Sequence, residues 1–304
     1  MISAWLSVLA IPMLAAAAVS GPVLGYVTAG ERLRAVPGIP GASYLGESVD
    51  ADLTALQAVA SERGYAVVSS GDTRIRIVAL KDGRELGSWQ SAGTPVQSVL
   101  LSPRGTAAAI VGGDGTAFVL TRLPDRLTPG ACLRFQSGQV PRAVSDDGEL
   151  LAVTDGTGLL GVVSAAGTHI AAEGGRMSDV RFVAGTHDVI YTNASLAQVG
   201  LITGGAASVI AGAADGLRDA RAADYLRTAA LPALIVADGD ARQLVVRIGD
   251  MPAHAIALPC RPNELVRLNE ATMRVVCEDE SLVHIVYASP GGIRVFVVPE
   301  GKDR

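Results

Sequence analysis

The sequence predicts an all-β fold, a β-propeller of six or seven four-stranded blades. Three observations predict it: a strand–turn–strand order that recurs about every 40 residues, a glycine count of 35, and lysine confined to Lys81 and Lys302. Helix-rich chains spend heavily on Lys, Glu and Leu, whereas glycine supplies the positive φ that tight hairpins need. Scarce lysine beside plentiful arginine is equally consistent with genome base composition.

The repeat is clearest in residues 96–120, VQSVLLSPRGTAAAIVGGDGTAFVL. An apolar strand leads into a Ser-Pro-Arg-Gly turn, a second apolar strand, a Gly-Asp-Gly turn and a third strand. Residues 141–164, PRAVSDDGELLAVTDGTGLLGVVS, keep that order, with Ser145-Asp146-Asp147-Gly148 and Asp155-Gly156 as the turns. Ser and Asp cap such turns through side-chain hydrogen bonds. Weaker copies flank these two. Upstream, Ser61-Glu62-Arg63-Gly64 precedes strands at 65–69 and 75–80 and an outer strand near 85–89. Downstream copies carry Ala184-Gly185-Thr186, then span residues 217–258, then 264–298. The segments 107–111 and 150–153 read as inner strands buried between neighbouring blades.

A ring of blades exposes two sheet edges unless its first and last blades are joined. The segment 25–41 reads as a hairpin, with strands at 26–28 and 33–36. It is expected to pair with the C-terminal strands or to form a partial extra blade beside them. The best helix candidate is 216–228, where Ala and Arg fall at helical spacing.

The SPRG and SDDG turns, each followed by an apolar strand and a Gly/Asp-Gly hairpin, resemble the SPDG-type turn of bacterial WD40-like and YVTN-like propellers. The Gly-His and Trp-Asp dipeptides of eukaryotic WD40 repeats are absent. The chain also resembles exported bacterial propeller proteins whose mature part begins with a GYV…LRAVPGIPGA-like segment, here Gly25 to Ala42. That resemblance implies the fold and export, and no activity.

No charged side chain precedes Glu31. An apolar stretch from Trp5 to Val19 ends in small residues, the pattern that signal peptidase reads. Residues 1–20 are therefore expected to be a cleaved signal peptide, cut after Ser20 or Ala18, and 21–304 a single propeller domain. The n-region lacks Lys and Arg, and an uncleaved anchor is the competing reading. Of the three cysteines, Cys260 and Cys277 lie at the edges of adjacent strands. They either pair in an oxidising compartment or, with Cys132, serve as small apolar side chains.

No catalytic, cofactor-binding or metal-binding residue is assigned. His169, His187, His254 and His284 fall in four different repeats, and HExxH, GxSxG and Walker-type loops are absent. Gly112-Gly113-Asp114-Gly115 sits between strands, which makes it a hairpin turn rather than a phosphate cradle. Asp238-Gly239-Asp240 begins like a Ca²⁺ loop but lacks the closing Glu. Glu62, Asp147 and Asp188 recur at similar points of their repeats, read as outer hairpin turns. Lys81 to Trp89 resembles the DxxTGxxxW segment of quinoprotein propellers, but only Trp5 and Trp89 are present, where those proteins repeat the residue. Asn193-Ala194-Ser195 matches a glycosylation sequon.

A net charge of −5 without a basic run argues against nucleic acid. The expected function is an exported interaction scaffold that binds another protein through loops on one face, as a periplasmic or extracellular monomer. The alternative is a propeller hydrolase or lyase with a metal in the central channel.

Overall fold

The computed structural model describes residues 22–29, 32–49, 57–69, 73–91, 94–228, 231–278, 282–289 and 291–300. The expected signal peptide lies outside them. They form seven antiparallel sheets, six of four strands and one of three. In chain order the four-stranded blades span 57–90, 96–134, 140–173, 177–211, 220–257 and 262–298. The first blade is built from Val23–Ala29, Arg32–Ile39 and Ala42–Ser43. The innermost strands of successive blades are neighbours all the way round, and the seventh again touches the first. The ring therefore holds seven blades.

Closure follows the second of the two expected routes, with an element of the first. Past Ala42–Ser43 the chain continues along the second strand, with Gly46 N–H donating to the Ala35 carbonyl at 2.9 Å and Val49 N–H to Leu33 at 2.9 Å. Leu45 N–H donates outward to the Pro299 carbonyl at 2.9 Å, and Leu45 bridges Glu300 in parallel. The last described residues thus supply a rudimentary fourth edge to the first blade. At the inner seam the Asn269 amide donates to the Leu24 carbonyl at 2.8 Å. A β-carbon on Gly25 would stand 2.7 Å from Leu268 Cβ, so the seam needs glycine there.

The buried apolar side chains fall into seven clusters, one at each blade junction. The second strands of the second to sixth blades are mostly apolar along their length because both of their faces are covered. Ala107–Gly112 and Leu151–Thr154 are buried at every position. They stand second from the axis, buried between neighbouring blades as expected of inner strands.

The segment 216–228 is not a helix. Ala220–Leu226 is the innermost strand of the sixth blade, and the 3-10 turn nearby is Ala213–Asp215. Burial of most of this strand within a closed ring overrides a helical propensity worth only tenths of a kcal/mol per residue. Asp155, Asp114 and Asp147 cap their turns, the last accepting from Ser145 Oγ at 2.6 Å and Glu149 N–H at 3.0 Å.

Val153 is fully buried in the cluster between the third and fourth blades. Val153→Asp places an unpaired carboxylate there and is expected to cost about 4 kcal/mol or more. Urea unfolding followed by circular dichroism checks this, and a midpoint equal to wild type would refute the strand placement.

Candidate functional site

The inner strands run in one direction, so the turns between first and second strands gather on one face of the disc. Three cavities follow the axis from that face: about 760 Å³ at the mouth, about 330 Å³ in the middle and about 720 Å³ at the opposite face. Glu62 and Arg267 line both the mouth and the middle cavity. Arg142, Asp179 and Glu264 line both the middle cavity and the far one.

Two aspartates in the middle of the channel, Asp179 and Asp224, are paired with arginines. Arg267, on the innermost strand of the seventh blade, meets Asp224 of the sixth at 2.7 Å, and both side chains are largely buried. The same guanidinium donates to the Tyr225 carbonyl at 2.5 Å. Arg181 meets Asp179 at 2.7 Å. Burial opposes the charge of Arg181, but Asp179 and Asp224 outweigh it and hold the pKa above its ordinary value. Asp179 and Asp224 are thus committed to arginines, and either would have to give up its partner to ligate a bare cation. Removing one partner of such a pair costs about 3–5 kcal/mol, because the other charge is left buried.

Glu62 is different. One carboxylate oxygen is buried without a hydrogen-bond partner. Burial pushes its pKa up; Arg267 pulls it back, Glu270 and Asp146 add to the rise, and Arg104 opposes it. Glu62 stands at the mouth together with Asp188, Arg104, Arg227 and Glu270, over apolar surface that includes Val183, Leu201 and Leu231. Leu231 is 51% exposed.

Two of the three acidic turn residues noted in the repeats therefore face the axial mouth rather than the outer side of the disc. The third, Asp147, contacts His187 Nε2 at 2.5 Å. Burial works against the ionised Asp147, but hydrogen bonds from Ser145 and Glu149 and the adjacent His187 outweigh it and lower its pKa. Position within a repeat fixes only the turn. Whether the side chain points inward depends on how neighbouring turns interlock. Arg104 N–H donates to Asp146 at 2.8 Å, and Gly185 N–H to its other oxygen at 2.7 Å. These bonds join three successive turns.

The remaining sequence candidates resolve into structure. Asp238 is fully buried and accepts from the N–H groups of Arg218, Asp219 and Ala241 at 2.8, 3.1 and 3.2 Å, the work of a turn cap. Asn193 is buried, donates to the Gly174 carbonyl and accepts from Ser195 Oγ at 2.8 Å, so the sequon is part of a turn. Trp89 packs on Phe118 across a blade junction, with ring centroids 5.4 Å apart. Arg74 pairs with Glu85 at 3.1 Å on the outer strands.

His169 and His254 lie on exposed outer strands and His187 in a turn. His284 departs from that pattern. It is fully buried, and its ring, Cys260 and Cys277 bring their ligand-type atoms within 4.8 Å of one another. Cys260 and Cys277 form a disulfide with a Cα separation of 5.9 Å. Among the described residues, this is the group of three or more His, Cys, Asp or Glu side chains with metal-ligand spacing, and it lies away from the channel.

No family model and no curated protein sequence matches the chain. Solved structures do. Hsv2 of Kluyveromyces lactis is 11% identical, with a TM-score of 0.57 over 91% of this chain and 98% of that one. The β-propeller domain of Myceliophteria thermophila Cps50 (Swd1) is 11% identical, with a TM-score of 0.56 over 89% and 97%. A streptogramin B lyase is 12% identical, with a TM-score of 0.55 over 80% and 82%. The chain is a seven-bladed β-propeller, and likeness at this identity carries the fold alone.

Glu62 supplies a test of the mouth. Because its pKa is raised in the fold, the folded state holds the proton more tightly than the unfolded chain, and ionisation near neutral pH costs stability. Glu62→Gln is expected to raise the melting temperature at neutral pH. The gain should disappear as pH falls below the ordinary carboxyl value of 4.5. Melting curves of both proteins across that range check the sign, and a variant less stable at neutral pH contradicts the reading.

Proposed function

We propose that the chain is an exported propeller of the bacterial WD40-like and YVTN-like kind, acting as a monomeric scaffold for a partner protein. The partner docks on the face where the turns between first and second strands meet. The observation that carries this reading is the composition of the axial mouth. Half-exposed Leu231 and the apolar walls at Val183 and Leu201 are ringed by charges of both signs, Glu62, Arg104 and Asp188. An apolar centre within a polar rim is the anatomy of protein interfaces. Loops held by a rigid ring present such a surface at little ordering cost.

The alternative, a lyase or hydrolase with a channel metal, draws on the likeness to the streptogramin B lyase. The pairing of Asp179 and Asp224 with arginines weighs against it, since each carboxylate would first have to give up a buried partner. Export rests on the apolar stretch before Glu31 and on the disulfide, a bond that persists in oxidising compartments.

With Lys81 and Lys302 as the lysines, amine-directed crosslinkers have almost nothing to react with. A photo-crosslinking residue is therefore placed at Leu231, and at Val209 on an outer strand as control, 59% exposed. Irradiation of whole cells, fractionation and mass spectrometry are expected to give one envelope or extracellular protein crosslinked from position 231 and not from 209. The chain without a partner, or equal products from both sites, speaks against the scaffold. Recovery from the cytosol with residues 1–20 attached speaks against export.

A further inference from the structure

We propose that Cys260, Cys277 and His284, once the disulfide is reduced, form a binding site for a thiophilic d¹⁰ cation, with Zn²⁺ as the probe. This site is independent of the axial mouth and of the scaffold reading.

Strand register brings the three residues together. Cys277 is the partner of Pro262 across the first and second strands of the seventh blade, and Cys260 lies two residues before Pro262. His284 pairs across the second and third strands with Val275, itself two residues before Cys277. Residues two apart on a strand share a face, which sets His284 on the side of Val286 and Cys277 on that of Val275, and Cys260, in the turn before the strand, packs into the same junction between the sixth and seventh blades. Leu258, Val275 and Val286 belong to that apolar cluster. Cys260 and His284 are buried, and Cys277 is partly exposed.

Two thiolates and one imidazole are a donor set for zinc, with bonds of about 2.3 Å to sulfur and about 2.0–2.1 Å to nitrogen. In the oxidised chain the three sets of ligand atoms already lie within 4.8 Å of one another, and opening the S–S bond lets the sulfurs separate to the spacing that one such ion needs. The fourth tetrahedral position falls to water on the Cys277 side, where the set reaches the surface. Low-dielectric walls strengthen binding of a cation by thiolates. Arg261 and Glu278, adjacent in sequence to Cys260 and Cys277, form an ion pair at 3.4 Å. It ties together the two segments that carry the sulfurs, so the cage is held at a second point when the disulfide opens.

The chemistry balances. A dithiol or phosphine reductant delivers two electrons and is itself oxidised, and with two protons the disulfide becomes two thiols. Binding one Zn²⁺ then releases both thiol protons. The oxidised chain lacks two of the three donors, so metal and disulfide exclude each other.

The test uses the full chain with Cys132→Ser, which removes the exposed third thiol. Reduced and oxidised forms are titrated with Zn²⁺ against a chromophoric chelator, and with Co²⁺ to read thiolate charge-transfer absorption. One equivalent is expected in the reduced form and none in the oxidised form. Cys277→Ser and His284→Gln are expected to weaken reduced-form binding by more than about tenfold. Reduced protein that keeps its strand signature yet binds no stoichiometric Zn²⁺ overturns the proposal, as does a Cys277→Ser variant that binds like its parent. If reduction unfolds the protein, recovery of the strand signature with one equivalent of Zn²⁺ supports the site and failure to recover rejects it.

Discussion

Among the described residues, no blade has a core of its own. Each of the seven apolar clusters lies between two blades, including the one that joins the first to the seventh. A sheet left at an open end would expose an apolar face and an unpaired edge together. Closure is therefore the constraint on which the rest depends, and it is met by groups far apart in sequence. Val27, Val36 and Leu45 pack against Leu268, Ile285 and Val298, while Leu45 hydrogen-bonds Pro299. The first blade can stop at three strands because the last described residues cover its outer edge.

The face that carries the axial mouth is knit by contacts one repeat apart. Tyr65 donates from a fully buried ring to the Gly105 carbonyl at 2.7 Å. Asp146 joins the third, fourth and fifth blades. Arg227 reaches Glu270 through both its N–H and its guanidinium, each at 2.8 Å. Turns of adjacent blades are thus hydrogen-bonded to one another around the mouth. Glu62 keeps a buried oxygen unanswered in the midst of this network. Polar groups left unsatisfied within an otherwise satisfied structure mark places where something other than stability shapes the residue.

The sequence makes local structure legible and long-range structure less so. The SPRG and SDDG hairpins could be read directly because each turn is specified by its own four residues, and strands on either side need only alternate or stay apolar. The blade count was open because closure joins residue 45 to residue 300, and no local pattern encodes that pairing. Residues 216–228 misled because Ala and Arg suit a helix, while the deciding term, burial of Ala220, Ala222 and Ala223 in the ring, is tertiary. Glu62 and Asp188 were visible as recurring acids, but their inward orientation comes from the interlocked turns. The Cys260–Cys277 pairing was one of two readings. The approach of His284 had no signal in spacing, and it follows from hairpin register once the strands are known.

The same geometry separates two kinds of chemistry by depth and by face. The strands that line the axis hold Asp179 and Asp224 in arginine–carboxylate pairs, the second of which joins the sixth and seventh blades. The soft donors Cys260, Cys277 and His284 are set instead in an apolar junction, where burial excludes competing water and only Cys277 approaches the surface. Such a junction tolerates a disulfide or a coordinated ion, since either satisfies the sulfurs without an unpaired charge. It does not tolerate a buried Cys260 thiolate without a counter-charge. The seventh blade, which must also close the ring, thus carries these soft donors at the end of its second strand, on its third and in the turn that leads into its first.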